Sequence, residues 1–386
     1  MDGHTRAPKG SREWLEYWRE EERRCREGYS VGDITITGRH YHYLNYWKIS
    51  RKKRGEKTKG LLPPKFLDID YEFYWHLEKC FETGKDMLVL KRRQCGFSYK
   101  SSQLGGYNFT FLPASKTIYT AGEEKYAKET FGFMLEGLDN SKGTAMYRNR
   151  LDNEKDFIRA GYKMKVDGQW GEYGYKSQCY RITSTDLQAL VGKSPFMVIY
   201  EEVGKFPGFL EVKKYIDPGM ETEGEKTGWN ICIGTGGEEN ESITEVGEAF
   251  YDPDTFGFFG VDNIWDDPDQ IGDEELVMED APAVPVEQKS KVCFFVPGYM
   301  YGRGKGEVDD DGNSIIDVAK ANIMARRAAL TGKRGYLQEV TQYPMTPQEA
   351  LMVPSGGKFN VVKLRSQLAH VMRTPKLRDI VRRGEI

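Results

Sequence analysis

The sequence predicts an α/β protein: a mainly parallel central sheet flanked by helices, with a helical and aromatic cover at its N-terminal end. Three observations predict it. From Asp86 onward, short apolar runs alternate with helix-like stretches. The segment DMLVLKRRQCGFSYKSS (86–102) has the layout of a strand, a basic turn with one glycine, and a helix N-terminus. Further along, FMVIYEE (196–202) reads as an apolar strand that ends in two adjacent carboxylates. Strands that alternate with helices favour a parallel sheet covered on both faces, and wholly apolar strands suit its interior.

The elements follow in order. Residues 11–27 read as a helix opened by a Ser11 cap, with Trp14, Leu15 and Trp18 along one stripe. The aromatic run RHYHYLNYWKI (39–49) reads as strand-like, and RKKRGEKTKG (51–60) as a basic, mobile loop. Pro63 and Pro64 end that loop before a second aromatic helix, Asp70 to Phe81. Strands are expected at 86–91, 116–121, 178–183, 195–200, 229–234 and 291–297. One helix starts near Ser98 between the first two strands, and another spans Glu124 to Leu138. Residues 252–290 are acidic and irregular, 317–331 form a helix, and the tail after Pro354 is a small helical or linker segment. The expected organisation is an N-terminal segment (1–62), a main domain (63–355) and a C-terminal linker or the start of a further domain (356–386).

Composition sets the bounds. With 386 residues the chain can bury a large core. The net charge of -3 at 30% charged residues gives no overall positive field, so any contact with DNA must be local. The six cysteines and five histidines show no zinc-type spacing, and free thiols suit a reducing cytosol. No apolar run approaches a membrane span. A soluble intracellular protein with no membrane partner is expected.

Three constellations carry chemistry. In the regular phosphate loop, G-x-x-x-x-G-K-[ST], backbone N–H groups wrap the phosphates and the lysine neutralises charge. Here the first glycine is absent and Phe97 stands in the lysine's place. Gly96 still permits close approach, the Ser98 hydroxyl suits magnesium, and Lys91, Arg92 or Arg93 can reach back over the phosphates. A basic turn after a strand is the plainer alternative. In the pair Glu201-Glu202, one carboxylate can serve the metal and the other the attacking water, because neighbours on a strand point to opposite sides. The strand NICI leads into Gly234-Thr235-Gly236-Gly237, where a threonine among glycines can sense a terminal phosphate. The order of the three along the chain is that of a nucleoside-triphosphate hydrolase. Gly192-Lys193-Ser194 carries the regular tripeptide but precedes a strand, and so reads as a loop. The acid run beginning at Asp309 reads as a turn rather than a metal site.

On these residues the chain resembles the ATPase part of the large terminase subunit of tailed bacteriophages, the motor that pumps DNA into a procapsid. LLPPKFLDIDYEFYWHLE precedes the loop, and LVLKRRQCGFS matches the family's deviant phosphate loop. STDLQALVGKSPFMVIYEE, ICIGTGG and YLQEVTQYPMTPQEAL (336–351) resemble the approach to the acidic strand, the coupling motif and the closing segment. The resemblance implies a P-loop NTPase of the additional-strand type that binds ATP and magnesium. It makes Lys91 the phosphate lysine and Ser98 and Glu201 the metal residues. Glu202 then activates water, Arg93 acts on the terminal phosphate, and Thr235 couples hydrolysis to movement. The nucleotide-binding stretch is Lys91, Arg92, Arg93, Gln94, Cys95, Gly96, Phe97, Ser98 and Tyr99. Tyr41 and Tyr43 either cover the adenine or form a structural cluster. Implied partners are double-stranded DNA, the portal protein, the small terminase subunit and further copies in a ring, all in the host cytoplasm.

Arg51, Lys52, Lys53 and Arg54 supply a basic cluster for DNA phosphates, as do Arg373, Lys376, Arg378, Arg382 and Arg383 near the C-terminus. Full-length members carry a C-terminal nuclease domain, for which the stretch after the closing segment is too short. No DNA cutting is therefore expected of this chain. The alternatives are a helicase or translocase outside a capsid, a non-hydrolysing P-loop scaffold, and a nuclease built on the acidic clusters.

Overall fold

The computed structural model describes residues 5–52, 58–183, 192–236, 241–265, 291–302, 304–330 and 332–352. Its central sheet comprises β1 (Met87–Lys91), β2 (Lys116–Ala121), β3 (Arg150–Asn153), β4 (Phe157–Ala160), β5 (Gln178–Arg181), β6 (Met197–Glu201), β7 (Trp229–Thr235) and β8 (Phe294–Val296). The spatial order is β8-β1-β7-β6-β2-β5-β4-β3. All pairs from β8 to β5 are parallel, and β4 and β3 add an antiparallel edge. β7 comes late in the chain yet lies between β1 and β6. It is the additional strand of the expected class, and it sets the basic loop and the acidic strand end on either side of one crevice.

Side-chain alternation explains the layers. Met87, Val89, Met197, Ile199, Ile231 and Ile233 face a core shared with Phe73 and Leu77 of α3 (Asp68–Thr83), Leu104 of α4 (Phe97–Phe111) and Phe131 and Met134 of α5 (Glu124–Asn140). Leu88, Leu90, Val198, Tyr200 and Cys232 face the other core, with Val212 of α6 (Phe209–Ile216) and Ile243, Val246 and Phe250 of α7 (Glu241–Tyr251). Both faces are covered, so these strands are apolar throughout. Each fully buried branched side chain contributes roughly 1.5–3 kcal/mol.

The N-terminal cover differs from the expectation at residues 39–49. α1 (Arg12–Glu27) starts at Ser11, whose side chain accepts from the Trp14 amide. Residues 39–49, however, form mostly helix: α2 spans Gly38–Tyr46, with the Thr37 side chain accepting from the His40 amide. The cap and the packing of His40 on Tyr74, ring centroids 4.8 Å apart, outweigh the strand preference of aromatic residues. Trp47 packs so tightly on α4 and α5 that a Cβ on Gly106 or Gly137 would sit 2.4 Å or 2.2 Å from its ring.

The basic loop at 51–60 is also corrected in part. Ile49–Lys52 pairs antiparallel with Lys59–Leu62, and residues 53–57 lie outside the described residues. Hairpins were not expected at β3–β4, at Tyr162–Val166 with Gln169–Tyr173, at Tyr29–Val31 with Ile34–Ile36 or at Glu221–Thr222 with Glu225–Lys226. The strand at 291–297 divides, Lys291–Val292 pairing with Val261–Asp262 and Phe294–Val296 joining the main sheet. α8 (Ile316–Ala328), α9 (Lys333–Gln342) and α10 (Pro347–Ala350) close the described chain. Arg327 joins them, pairing with Glu349 at 2.6 Å and donating to the Tyr343 carbonyl at 3.1 Å. Most of the 252–290 excursion, the tail from 353 and its basic residues lie outside the described residues.

Candidate active site

The C-terminal ends of β1, β7 and β6 form one edge, where ligands of open α/β sheets bind. Lys91 pairs in register with Thr235, and Glu201 with Ile233. Between Lys91 and α4 the chain makes a tight loop with two left-handed residues, Gln94 (φ 59°) and Gly96 (φ 70°). Gly96 is required twice over: for its φ, and because an added Cβ would lie 2.3 Å from the Tyr301 hydroxyl. The Arg92 and Arg93 amides are occupied by the Val296 and Gln342 carbonyls. Those of Gln94, Cys95 and Gly96 donate to no backbone acceptor among the described residues. Unoccupied amides running into a helix N-terminus make an anion cradle.

The acidic pair splits as a strand end should. Glu201 is 2% exposed, and its Oε1 has no hydrogen-bond partner among the described residues. Burial pushes its pKa up to about 7, against the opposing pull of the Ser101 hydroxyl and with added repulsion from Glu202. Glu202 turns the other way from a left-handed backbone (φ 52°, ψ 56°). Its Oε1 meets Lys91 Nζ at 2.8 Å, and its Oε2 accepts from the Thr235 amide at 3.2 Å and hydroxyl at 2.8 Å. Burial alone would raise the Glu202 pKa; Lys91 and Thr235 outweigh it and hold the carboxyl below its ordinary value. Lys91 is raised in turn, Glu202 overcoming the cost of burial.

The remaining residues singled out from the sequence fall into distinct places. Ser98 lies in the first turn of α4 and is partly exposed. A hydroxyl there and a buried carboxylate oxygen lacking a partner suit a hard cation such as magnesium, which takes oxygen ligands. Arg93 is exposed at the loop. Arg92 does not reach over the loop: it is 1% exposed and donates to the Gly298 and Met300 carbonyls at 3.1 and 3.2 Å. Phe97 and Cys95 likewise turn inward, Phe97 packing edge-on against Phe73 at 5.0 Å, so both offer the cradle backbone alone. Tyr99 stacks on Phe133 at 4.5 Å and accepts from the Ser50 amide, tying the 49–62 hairpin to α4. Tyr41 donates to Glu21 and Tyr43 is buried in the core, so both belong to the structural aromatic cluster rather than to an open base site.

Arg51 donates to the Pro63 carbonyl at 2.6 Å, while Lys53, Arg54 and the Lys52 side chain lie outside the described residues. Lys193 sits in a loop before β6, its carbonyl accepting from Lys116. Asp309 accepts from the Asp311 and Asn313 amides at 3.0 and 2.8 Å and so caps its own turn. Among the described residues no group of three or more His, Cys, Asp or Glu side chains could hold a metal ion. Sequence reading missed Tyr301, which lies against Gly96, and Tyr343, whose hydroxyl meets Gln94 at 3.3 Å. Both come from segments far along the chain; Tyr343 lies in the 336–351 passage quoted above, but no local pattern ties either ring to the loop.

No protein-family model matches the chain, and no curated protein does. Among solved structures, it is similar to the large terminase ATPase domain of Thermus phage P74-26 at 15% identity and a TM-score of 0.42, covering 68% of this chain and 88% of that one. It is similar also to the large terminase of bacteriophage HK97 at 12% identity and a TM-score of 0.36, with 50% of this chain and 36% of that chain covered. The large terminase of a further, thermophilic bacteriophage aligns at 9% identity and a TM-score of 0.32, over 76% and 82% of the two chains. That thermophilic phage's terminase has also been solved in complex with ADP, there at 10% identity and a TM-score of 0.29 over 40% and 35% of the chains. These solved structures are large terminases of several phages.

Proposed function

We propose that this chain is the ATP-hydrolysing motor part of a large terminase, driving double-stranded DNA into a procapsid. One observation carries the hydrolytic half of this reading. Lys91, Glu201, Glu202 and Thr235, from three different strands, converge at one sheet edge beside a loop of unoccupied amides. The packaging half rests on the resemblance of the sequence passages around those residues.

The loop amides from Gln94 to Gly96 bind the phosphates, and Lys91 supplies the cation that Phe97 does not. Ser98 and Glu201 would hold magnesium, which when bound would draw charge off the phosphate oxygens. Glu202 orients the attacking water and accepts its proton. Lys91 pairs with Glu202 at 2.8 Å, and while that pair holds neither is available for its task. Arrival of a polyphosphate offers Lys91 a more highly charged partner and frees the carboxylate. Thr235 keeps its bonds to Glu202 and so links the base to β7. Arg93, exposed at the loop, acts on the terminal phosphate. Arg51, Lys52, Lys53 and Arg54 meet DNA, with the portal protein, the small terminase subunit and a ring of further copies as partners in the host cytoplasm.

Magnesium-dependent ATP turnover of the parent chain, Glu202→Gln and Lys91→Ala tests the reading. The parent is expected to turn over, and Glu202→Gln to lose roughly 10²–10⁴-fold, the contribution of a general base. A parent chain that neither binds nor hydrolyses ATP, even with DNA and portal present, would leave a docking scaffold and sink the motor reading.

A further inference from the structure

α4 carries a lysine that the hydrolytic scheme does not use. Lys100 lies one turn beyond Phe97 and is 0% exposed. Its Nζ is 2.8 Å from Asp70 Oδ1 on α3 and donates to the Cys95 carbonyl at 3.1 Å. The Phe97 and Tyr301 rings stand 4.5 and 4.9 Å from the ammonium and complete its enclosure. A fully buried lysine is rare and needs a partner. Asp70 is that partner, and with the charge balanced, what Lys100 adds to the site is its grip on one carbonyl.

That carbonyl belongs to the phosphate loop. In a trans peptide the C=O and the following N–H point in opposite directions, and the described chain contains no cis bonds. The Cys95 carbonyl and the Gly96 N–H share one peptide plane. A carbonyl drawn inward onto Lys100 therefore turns the Gly96 amide outward, and that amide has no backbone acceptor among the described residues. Without the ammonium, the carbonyl would have no reason to point into the protein, and the plane could turn over at Gly96, where both hands of φ are open.

We infer that Lys100, charge-balanced by Asp70, is a positioning residue for phosphate binding: it holds the Cys95–Gly96 peptide so that the Gly96 N–H faces the bound polyphosphate. The inference rests on the nucleotide-binding reading and deepens it. Lys100 itself touches no phosphate.

Removing Lys100 alone would strand a buried carboxylate, so the test uses the apolar pair Lys100→Met with Asp70→Leu, a kind of exchange that buried ion pairs often tolerate. Magnesium with ATPγS is titrated calorimetrically into the full chain, and KM and kcat for ATP are measured alongside. The double variant is expected to keep its Tm within a few degrees, to bind about tenfold more weakly and to show a matching rise in KM with kcat little changed. A neutral pair that keeps a donor, Lys100→Gln with Asp70→Asn, is expected to recover part of the affinity. Independently of any variant's folding, hydrogen exchange of the Gly96 amide in the parent chain should slow when ATPγS and magnesium are added. Parent-like affinity and KM in the apolar pair, or a Gly96 amide unprotected in a parent that binds ATPγS, would overturn the inference. A parent that does not bind ATPγS at all refutes the underlying reading instead, and the two failures are distinguishable.

Discussion

Replacing Lys91 by Met should destabilise the nucleotide-free protein, and replacing Glu202 by Gln at the same time should restore most of the loss. The two side chains are 8% and 17% exposed and 2.8 Å apart. Breaking a buried pair from one side costs about 3–5 kcal/mol, because a charge is left without its partner. Glu202 keeps two hydrogen bonds from Thr235, which places Lys91→Met at the low end, about 3 kcal/mol. The double variant buries no unpaired charge and should lie within about 1 kcal/mol of the parent, giving a coupling energy of at least about 2 kcal/mol. The assay is urea unfolding of the parent, both single variants and the double variant at pH 7.5 without nucleotide. The same cycle with saturating ATPγS and magnesium should lose most of that coupling, since Lys91 then has a phosphate partner. Costs that add to within about 0.5 kcal/mol would show that the pair does not interact in solution. A coupling unchanged by nucleotide would refute the exchange of partners on which the hydrolytic scheme depends.

Other outcomes follow from single contacts. Glu201 has its pKa raised from 4.5 to about 7, so the folded chain holds a proton that the unfolded chain releases, and its contribution to stability falls as pH rises across that window. Glu201→Gln should therefore gain on the parent by about 3 kcal/mol between pH 4.5 and pH 8 in unfolding experiments, and a pH-independent difference would refute the raised pKa. Arg92→Met leaves the Gly298 and Met300 carbonyls unpaired and should cost about 2–4 kcal/mol while KM for ATP stays nearly unchanged; a large rise in KM at parental stability would return Arg92 to the phosphates. Phe97→Lys restores the lysine of the regular motif, yet position 97 is 2% exposed and its ring lies 4.5 Å from the Lys100 ammonium. It should lower stability and turnover together, and a gain in turnover would show that the loop can accept a lysine there.

The central strands were legible because strands buried on both faces become continuous apolar runs, and five of the six expected strands entered the central sheet near their predicted bounds. The divided segment at 291–297 contributed only its second half to that sheet. α2 was not legible as a helix because its aromatic residues favour strands in isolation; the decisive signal, Thr37 as a cap, is a single residue. The hairpin Tyr162–Tyr173 has exposed residues along its first strand, so burial left no period in the sequence, and only Asp167-Gly168 marked the turn. At the candidate site, the strand-end positions of Lys91, Glu201, Glu202 and Thr235 were each visible in the sequence. Their contacts were not, since Lys91 and Glu202 are 111 residues apart. Nor could spacing show that Arg92 turns into the protein while Arg93 stays out. That choice is made by the 297–300 segment, whose carbonyls need a donor.

Phe97 in place of the lysine looks at first like the loss of a function, but a phosphate-loop lysine has two separable tasks. One is to bring positive charge to the mouth of the loop, and the other is to hold the loop in a shape whose amides face the ligand. On the proposed reading Lys91 brings a charge to the mouth from the strand before the loop, where its pair with Glu202 keeps it in reserve. Lys100 grips the loop from the helix after it, reaching the Cys95 carbonyl from below. A single lysine at position 97 would have to do both from one side chain. Divided between 91 and 100, the two tasks impose different environments. Lys91 must be free to exchange partners and so stays at the edge of the crevice. Lys100 must not move, and is sealed by Phe97, Tyr301 and Asp70. On that reading the aromatic residue at position 97 has a physical reason: it closes the chamber around Lys100.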